Sequence, residues 1–313
     1  MRQLQALTAA LLLALLAAKP CRASAKAGAE PFDFLRLDAN ARPVALGGAY
    51  TALAIDENAL LYNPAGLARV GRYGATFMHN QYFAGITQEY AAFASPQGFG
   101  ANLNVLNSGS ITQTTFSNPD GNGLESTGLT DLAVSLGYGR ALSEDLSLGA
   151  GVKYIRESIA DVIGQDFAID LGALYSVRAV KGLSLGAALQ NLGPTVKFQS
   201  AHENLPLNAR LGAGYLFEVL GQASALSFDV MKERSQGALI AAGAETVVAK
   251  AMPIRVGFTT RNDAGPGVSA GIGWLYRDLA LDYAFVPFGD LGMAHRASLT
   301  WRWGSSENPA PKP

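Results

Sequence analysis

The sequence predicts an all-β protein: a transmembrane, antiparallel β-barrel of about fourteen strands with a short N-terminal plug, or hatch. Three observations predict this fold. Apolar side chains alternate with small or polar ones from Tyr73 to near the end of the chain, and short connections alternate with long ones. In addition, 49% of the residues are hydrophobic and only 16% are charged. A water-exposed surface normally carries more charge than this.

The first residues of the chain have the features of a secretory signal. Arg2 precedes an apolar run at residues 7–18, and small residues suited to cleavage follow at 23–25. Cys21 raises the alternative of a lipoprotein site, but Lys19-Pro20 stands where small residues normally precede such a cysteine. We therefore divide the chain into a signal peptide (1–25), a plug segment (26–70), a barrel (71–303) and a flexible tail (304–313).

The strands are predicted from a period of two. In residues 146–154, Leu146, Leu148, Ala150, Val152 and Tyr154 form one face, while Ser147, Gly149, Gly151 and Lys153 form the other. The predicted strands start near Tyr73, Thr87, Phe99, Thr130, Leu146, Asp166, Leu183, Asn208, Ala223, Leu239, Pro253, Gly267, Leu279 and His295. Most are long enough to cross a bilayer.

The predicted connections fall into two classes. Those after even-numbered strands are short, and those after odd-numbered strands are mostly longer and more polar, which is typical of outer-membrane barrels. Strands can span lipid only in a closed barrel, because every backbone N–H and C=O must be paired within the protein. The apolar face then points to outer-membrane lipid and the small or polar face points inward. The alternative is a secreted β-sandwich, in which the aromatic residues of the apolar face, such as Tyr138, Tyr154 and Trp274, would lie in the core.

Composition and motifs exclude several functional classes. The net charge is −1 and basic residues do not cluster, so we expect no nucleic-acid partner. The three histidines, His79, His202 and His295, are not at metal-ligand spacing, and no Gly-x-Ser-x-Gly motif is present. We therefore predict no metal, no cofactor and no enzymatic activity.

The segment before the first strand does not alternate. Asp56 is a plausible N-cap for helical turns over Asn58–Tyr62, Pro64 disfavours helix at Asn63, and Gly66 permits a sharp turn. A fourteen-strand barrel is wider than its own inward side chains can fill. We therefore expect this segment to lie inside the barrel as a plug.

Two stretches carry a resemblance to a known family. Leu46-Gly47-Gly48-Ala49-Tyr50-Thr51-Ala52-Leu53-Ala54, followed by Asp56 and Tyr62-Asn63-Pro64-Ala65-Gly66-Leu67, resembles the N-terminal signature of the PorV/PorQ family. The C-terminal stretch from Leu281 to Gly292, with Trp301-Arg302-Trp303, is also similar to that family. This family belongs to the FadL-like group of barrels, named for the long-chain fatty-acid transporter. Pro43 and the tail after Trp303 depart from its pattern.

The resemblance implies a fourteen-strand barrel in the bacterial outer membrane with an N-terminal hatch. It implies that the hatch and gating residues are Gly47, Gly48, Asp56, Asn63, Pro64, Ala65 and Gly66. It also implies two alternative functions. One is a channel for small hydrophobic molecules. The other is a PorV-like role in binding secreted proteins or secretion-system proteins, in type IX secretion or surface display.

The last long loop contains apolar residues that suit the first of these functions. Val286, Pro287, Phe288, Leu291 and Met293 are a candidate entrance patch for a hydrophobic ligand. The alternative is that this loop simply packs on its own barrel.

Overall fold

The computed structural model describes residues 32–124, 126–159, 162–198 and 201–304. The predicted signal peptide, the first residues of the plug segment (26–31) and the tail from residue 305 onward lie outside the described residues.

Fourteen antiparallel strands form one closed barrel. They are β1 (Tyr73–Gln81), β2 (Thr87–Ala94), β3 (Phe99–Thr112), β4 (Ser126–Ala141), β5 (Leu146–Ile159), β6 (Val162–Ser176), β7 (Leu183–Leu192), β10 (Asn208–Val219), β11 (Gln222–Glu233), β12 (Ala238–Val248), β13 (Met252–Thr259), β14 (Val268–Tyr276), β15 (Leu279–Pro287) and β16 (Met293–Trp303). The barrel closes between its first and last strands, where Tyr73 pairs with Trp303 and Gln81 pairs with His295. Two more strands, β8 (Thr195–Phe198) and β9 (Ala201–Asn204), pair only with each other.

This architecture confirms the predicted fold class. Twelve of the fourteen predicted starts lie within two residues of the observed ones, and the other two, Thr130 and Asp166, are four residues late. β4 and β6 begin earlier because backbone pairing continues through polar residues, for example between Ser110 and Gly128. The polar composition of these first residues therefore hid the part of each strand that extends beyond the apolar, lipid-facing belt.

The outer face of the barrel is apolar. Alternate residues of each strand are exposed and buried, as in β11 and β16. Large exposed side chains on the outward positions include Phe77, Leu136, Phe167, Leu211 and Trp274. This pattern is the reverse of a soluble sandwich, which buries its large apolar side chains. Among the described residues no helix has the length and hydropathy needed to cross a membrane.

The two ends of the barrel have different connections. One end carries short turns, such as residues 142–145, 220–221 and 277–278, together with both termini of the barrel. The other end carries longer loops at 113–125, 193–207 and 260–267. The connection between β5 and β6 departs from the predicted class because both strands extend toward each other, ending at Ile159 and starting at Val162. By the usual layout of such barrels, the long-loop end is extracellular.

The helices of the described chain are short. The α-helices are α1 (Ala41–Ala45) and α2 (Ala59–Tyr62). The 3-10 helices are Asp33–Arg36, Pro64–Arg69, Phe83–Gly85 and Gly289–Leu291. The predicted helical turn is present as α2, but its N-cap is Asn58, not Asp56. Asp56 accepts a hydrogen bond from the Asn58 N–H at 3.0 Å. It also accepts hydrogen bonds from residues farther away in the chain.

Candidate functional site

The plug segment runs through the lumen from the extracellular end to the short-turn end. Its first described residue, Phe32, donates its backbone N–H to Glu157, near the extracellular end of β5. Its last helical residue, Arg69, donates to Ser147 at the other end of the same strand, at 3.0 Å. Between these points, α1 packs on β13–β16 and the Pro64–Arg69 helix packs on β4–β6.

Glycines on the inner wall make room for the plug. A Cβ on Gly149 would lie 2.3 Å from the Pro64 backbone, and one on Gly172 would lie 2.1 Å from the Asn63 side-chain oxygen. A Cβ on Gly271 would lie 2.5 Å from Ala45. These inward glycines therefore permit close approach of a second piece of backbone.

Gly47 and Gly48 end α1 and turn the chain. Both have positive φ, +68° and +77°, and their N–H groups bond back to Val44 and Pro43 at 3.0 and 2.9 Å. A Cβ on Gly47 would lie 2.5 Å from the Phe258 carbonyl oxygen of the wall. Glycine is therefore required here both by backbone conformation and by space.

Asn63 joins the plug to the barrel. Its side-chain N–H₂ donates to the carbonyls of Thr51 (2.9 Å) in the plug and Ala173 (3.0 Å) in β6. Its oxygen accepts from the Ala65 N–H at 3.2 Å and caps the 3-10 helix that begins at Pro64. The next turn is as tightly packed, since a Cβ on Gly66 would lie 1.5 Å from the Ala54 carbonyl oxygen.

Asp56 belongs to a buried ionic network. It accepts from the Tyr50 hydroxyl at 2.6 Å and from Arg42 at 3.2 Å. Burial raises the pKa of Tyr50 well above its usual value, so the hydroxyl keeps its proton and acts as the donor. Arg42 also binds Glu245 of the wall at 2.8 Å, and Arg255 lies between Glu245 and Asp282.

A second wall carboxylate holds the plug near its middle. Asp229 on β11 is fully buried, and one of its oxygens accepts from the Tyr50 and Thr51 N–H groups, both at 3.1 Å, and from the Thr51 hydroxyl at 2.6 Å. The same oxygen lies 2.9 Å from Arg210. Sequence reasoning missed Asp229, because an inward charge in an alternating strand gives no sign of its partner.

The extracellular part of the lumen is apolar on one side. Leu106, Ala133, Ile155 and Ala168 face inward from four adjacent strands, β3 to β6. They form one buried cluster with Phe32 and Phe34 of the plug, Val196 of the β8–β9 hairpin and Leu205. We call this set the lumen apolar cluster.

No protein-family model and no curated protein matches the chain. Several solved structures are similar to it in fold. The TodX deltaS2S3 mutant, described as a monoaromatic hydrocarbon channel, is 14% identical, with a TM-score of 0.55 over 86% of this chain and 99% of that one. CymD, also a monoaromatic hydrocarbon channel, is 12% identical, with a TM-score of 0.54 over 85% and 97%. A TodX deltaS2 mutant gives a TM-score of 0.51 at 12% identity, over 84% and 98%.

At these identities the similarity concerns the fold, which is that of outer-membrane barrels. The closed fourteen-strand sheet and the apolar outer face agree with it. The chain is a bacterial outer-membrane β-barrel. These neighbours, TodX and CymD, are FadL-like hydrocarbon channels, and none of the comparisons indicates the PorV/PorQ family specifically.

The outer-membrane barrel does not hold the five residues of the predicted entrance patch on one surface. Leu291 and Met293 are exposed, but Val286 is 7% exposed and packs against α1 from the inner face of β15. Phe288 is half-buried and packs on the rings of Tyr82 and Phe83, with centroids 5.1 and 5.2 Å apart. The five residues divide in this way because β15 extends to Pro287, and alternation along the strand turns Val286 inward. A role of these residues in ligand entry stays a prediction.

Two histidines of the described chain lie on the outer face of this barrel. His79 contacts Glu89 at 2.6 Å, and His295 contacts the Tyr283 hydroxyl at 2.6 Å. Among the residues that the structure describes, no group of three or more potential metal ligands occurs. The side chain of His202 lies outside this description.

Proposed function

We propose that this barrel is a channel for small hydrophobic molecules and that the plug segment gates it. The observation that supports this proposal is the lumen apolar cluster. The interior of a general porin is polar and filled with water. Here four neighbouring strands instead present Leu106, Ala133, Ile155 and Ala168 to the lumen, where an apolar ligand gains by leaving water. The hydrocarbon channels TodX and CymD share the fold and provide a precedent for such a substrate.

The gate in this proposal is the polar set of contacts between plug and wall. Gly47, Gly48, Asp56, Asn63, Pro64, Ala65 and Gly66 shape the plug or hold it in place. Opening requires the plug to move from the wall, which breaks bonds such as Asn63 to Ala173. Passage and gating are separate claims, and each needs its own test.

Passage is tested by uptake of labelled toluene by cells that carry or lack the gene. We expect faster uptake with the protein present, and equal rates would contradict the proposal. A heat-modifiable band on a gel provides the control that the barrel is folded and present in equal amount.

Gating is tested by a disulfide between plug and wall. A Cβ on Gly214 of β10 would lie 3.4 Å from the Ala52 Cβ, close to disulfide spacing. The only native cysteine, Cys21, falls in the predicted signal, so Ala52→Cys/Gly214→Cys forms one pair. We expect slow uptake when this variant is oxidised and faster uptake after reduction. The reduced form is the matched control, and equal rates in both forms would refute gating by this part of the plug.

A PorV-like protein-binding role is the alternative function. It is favoured by Phe116, whose side chain is fully exposed in the long loop between β3 and β4. Exposed aromatic side chains are typical of protein-binding surfaces. Pull-down with tagged protein tests it: recovery of secretion machinery or secreted cargo, lost on Phe116→Ser, supports this role, and its absence argues against it.

A further inference from the structure

Two pairs of polar side chains lie on the lipid-facing wall of the barrel. His79 of β1 contacts Glu89 of β2, with 2.6 Å between Nδ1 and a carboxylate oxygen, and each side chain is 56% exposed. On the next two strands in the other direction from β1, the hydroxyl of Tyr283 (β15) lies 2.6 Å from Nδ1 of His295 (β16). We call these four residues the outer polar patch. They occupy outward positions that strands elsewhere in the described barrel give to apolar side chains such as Leu211.

The outer polar patch lies inside the apolar belt and not at its edge. Tyr73, Phe93 and Trp303 pack on one another at the short-turn end, with ring centroids 6.0 to 6.4 Å apart, and indicate the periplasmic interface. His79 is six residues along β1 from Tyr73, and Glu89 is four residues along β2 from Phe93. At about 3.3 Å per residue and a tilt of about 40°, the two side chains lie about 10–15 Å above that interface, in a belt about 25 Å tall. Bulk water is absent at this depth.

The contact between His79 and Glu89 leaves polar atoms without partners. Among the described residues, Nε2 of His79 and the second carboxylate oxygen of Glu89 have no hydrogen-bond partner. Because both side chains are more than half exposed, these atoms face hydrocarbon. Unpaired polar groups in hydrocarbon are costly, and ionisable side chains at this depth normally face protein. We therefore expect a second protein surface to cover them.

A groove beside the pair permits close approach of such a surface. The groove has a volume of about 470 Å³, and the His79–Glu89 pair forms part of its lining. The small side chains of Ala91 (β2) and Ala297 (β16) form its floor, and Phe77, Leu103 and Leu299 rise beside them. In membranes, small side chains allow two packed surfaces to approach closely. The face therefore combines a groove, large apolar side chains that could fill such a groove, and unpaired polar atoms.

We propose that this face is the interface of a dimer of the barrel within the outer membrane. Charge complementarity indicates a second copy as the partner, because the face carries an acid and a base side by side. Two copies inserted in the same direction are related by a two-fold axis along the membrane normal, so equal depths face each other. His79 and Glu89 are register partners and therefore lie at nearly equal depth.

In the dimer, the free ring nitrogen of His79 donates to the free carboxylate oxygen of Glu89 on the second copy. The two-fold axis forms the reverse contact at the same time, so all four polar atoms gain a partner. This inference concerns assembly and does not depend on which molecule passes through the lumen.

The first test is disulfide cross-linking in isolated outer membranes. Ala91→Cys and Ala187→Cys each give the mature chain one cysteine, because the only native cysteine, Cys21, falls in the predicted signal. Ala187 is the matched control, since it is also half-buried and lines an outer-face groove, but on β7 at the far side of the barrel. We expect about tenfold more cross-linked dimer from Ala91→Cys, because only the interface brings two copies of one position together. Equal cross-linking of the two variants, or a product that is not twice the mass of the chain, would overturn the proposal.

The second test changes the charges of the pair in the Ala91→Cys background. Glu89→His leaves no acid to face His79 of the second copy, and we expect it to reduce cross-linking about tenfold. The exchange His79→Glu/Glu89→His again places an acid and a base at equal depth and should restore cross-linking. Unchanged cross-linking in Glu89→His, or no recovery in the exchange variant, would contradict the pairing between copies.

A third measurement needs no charge variant. Heat-modifiable migration shows whether each variant forms the barrel, and if Glu89→His does not, the unmodified protein still decides. Its mass is measured in lipid nanodiscs prepared with a large excess of discs, where two chains share a disc only if they bind each other. We expect two chains per disc, and one chain per disc would refute the dimer.

Discussion

Replacing Asp229 by asparagine is expected to release the plug while the barrel stays folded. The Asp229 oxygen accepts two backbone N–H groups and one hydroxyl from the plug and also pairs with Arg210 at 2.9 Å. Asparagine keeps the shape but removes the charge, which leaves the buried Arg210 with only the more distant carboxylate of Asp38, at 4.0 Å. Removing one member of a buried pair costs about 3–5 kcal/mol. The fourteen-strand ladder is untouched, so the loss falls mainly on plug docking.

The expected change in plug docking follows from this cost of about 3–5 kcal/mol. Each 1.4 kcal/mol is tenfold, so about 3–5 kcal/mol shifts the ratio of docked to released plug by about two to three and a half orders of magnitude. Trypsin cleavage after Arg69 measures that ratio, because the docked plug holds this residue against the wall. Asp229→Asn should be cleaved faster and should take up toluene faster. Asp120→Asn, in an exposed loop, is the matched control and should behave like the unmodified protein.

Two results would refute this reasoning. One is trypsin protection in Asp229→Asn equal to that of the unmodified protein. The other concerns the double variant Asp229→Asn/Arg210→Met, which removes both charges and should recover part of the protection. If the double variant were released as readily as the single one, the unpaired charge would not be the cause.

Three further predictions concern other parts of the lumen and wall. Gly149→Val places side-chain atoms where the Pro64 backbone lies and should displace the plug, seen as faster trypsin cleavage with an intact heat-modifiable barrel; unchanged cleavage would contradict the packing argument. Phe34→Ala removes a buried ring at a cost of about 3–5 kcal/mol and should speed toluene uptake, whereas slower uptake would mean that the ring assists passage. Leu136→Arg puts a charge on the lipid-facing surface and should lower barrel stability by about 2–4 kcal/mol in urea titrations in lipid vesicles. The control Phe116→Arg, at an exposed position in a loop, should have no such effect.

The fold could be predicted from sequence because a strand records its own environment. Each side chain of β16, for example, faces either lipid or lumen, and the alternation from His295 to Trp303 states which. Counting such segments gives the strand number, and lipid allows only closure of the sheet. The two late starts, at Thr130 and Asp166, arose where the strands leave the lipid and the environment no longer imposes a pattern.

The site was predicted only in part. The sequence predicted a sharp turn at Gly66 and a helix boundary at Asn63-Pro64, whereas Gly47 and Gly48 were indicated only by the resemblance to a known family. Their partners were not visible. Ala173, which accepts the bond from Asn63, is one of many small residues in strands, and Val286 seemed to be a loop residue until strand pairing placed it inside.

The sequence by itself therefore determined the barrel, its strand number and the presence of a segment that could not be a strand. Only the tertiary structure decided which wall residues hold that segment, among them Asp229 and Ala173. The physical reason is that alternation is a local property of each strand. A contact across the lumen instead joins residues such as Tyr50 and Asp229, far apart in the chain, and it depends on the register of every strand between them.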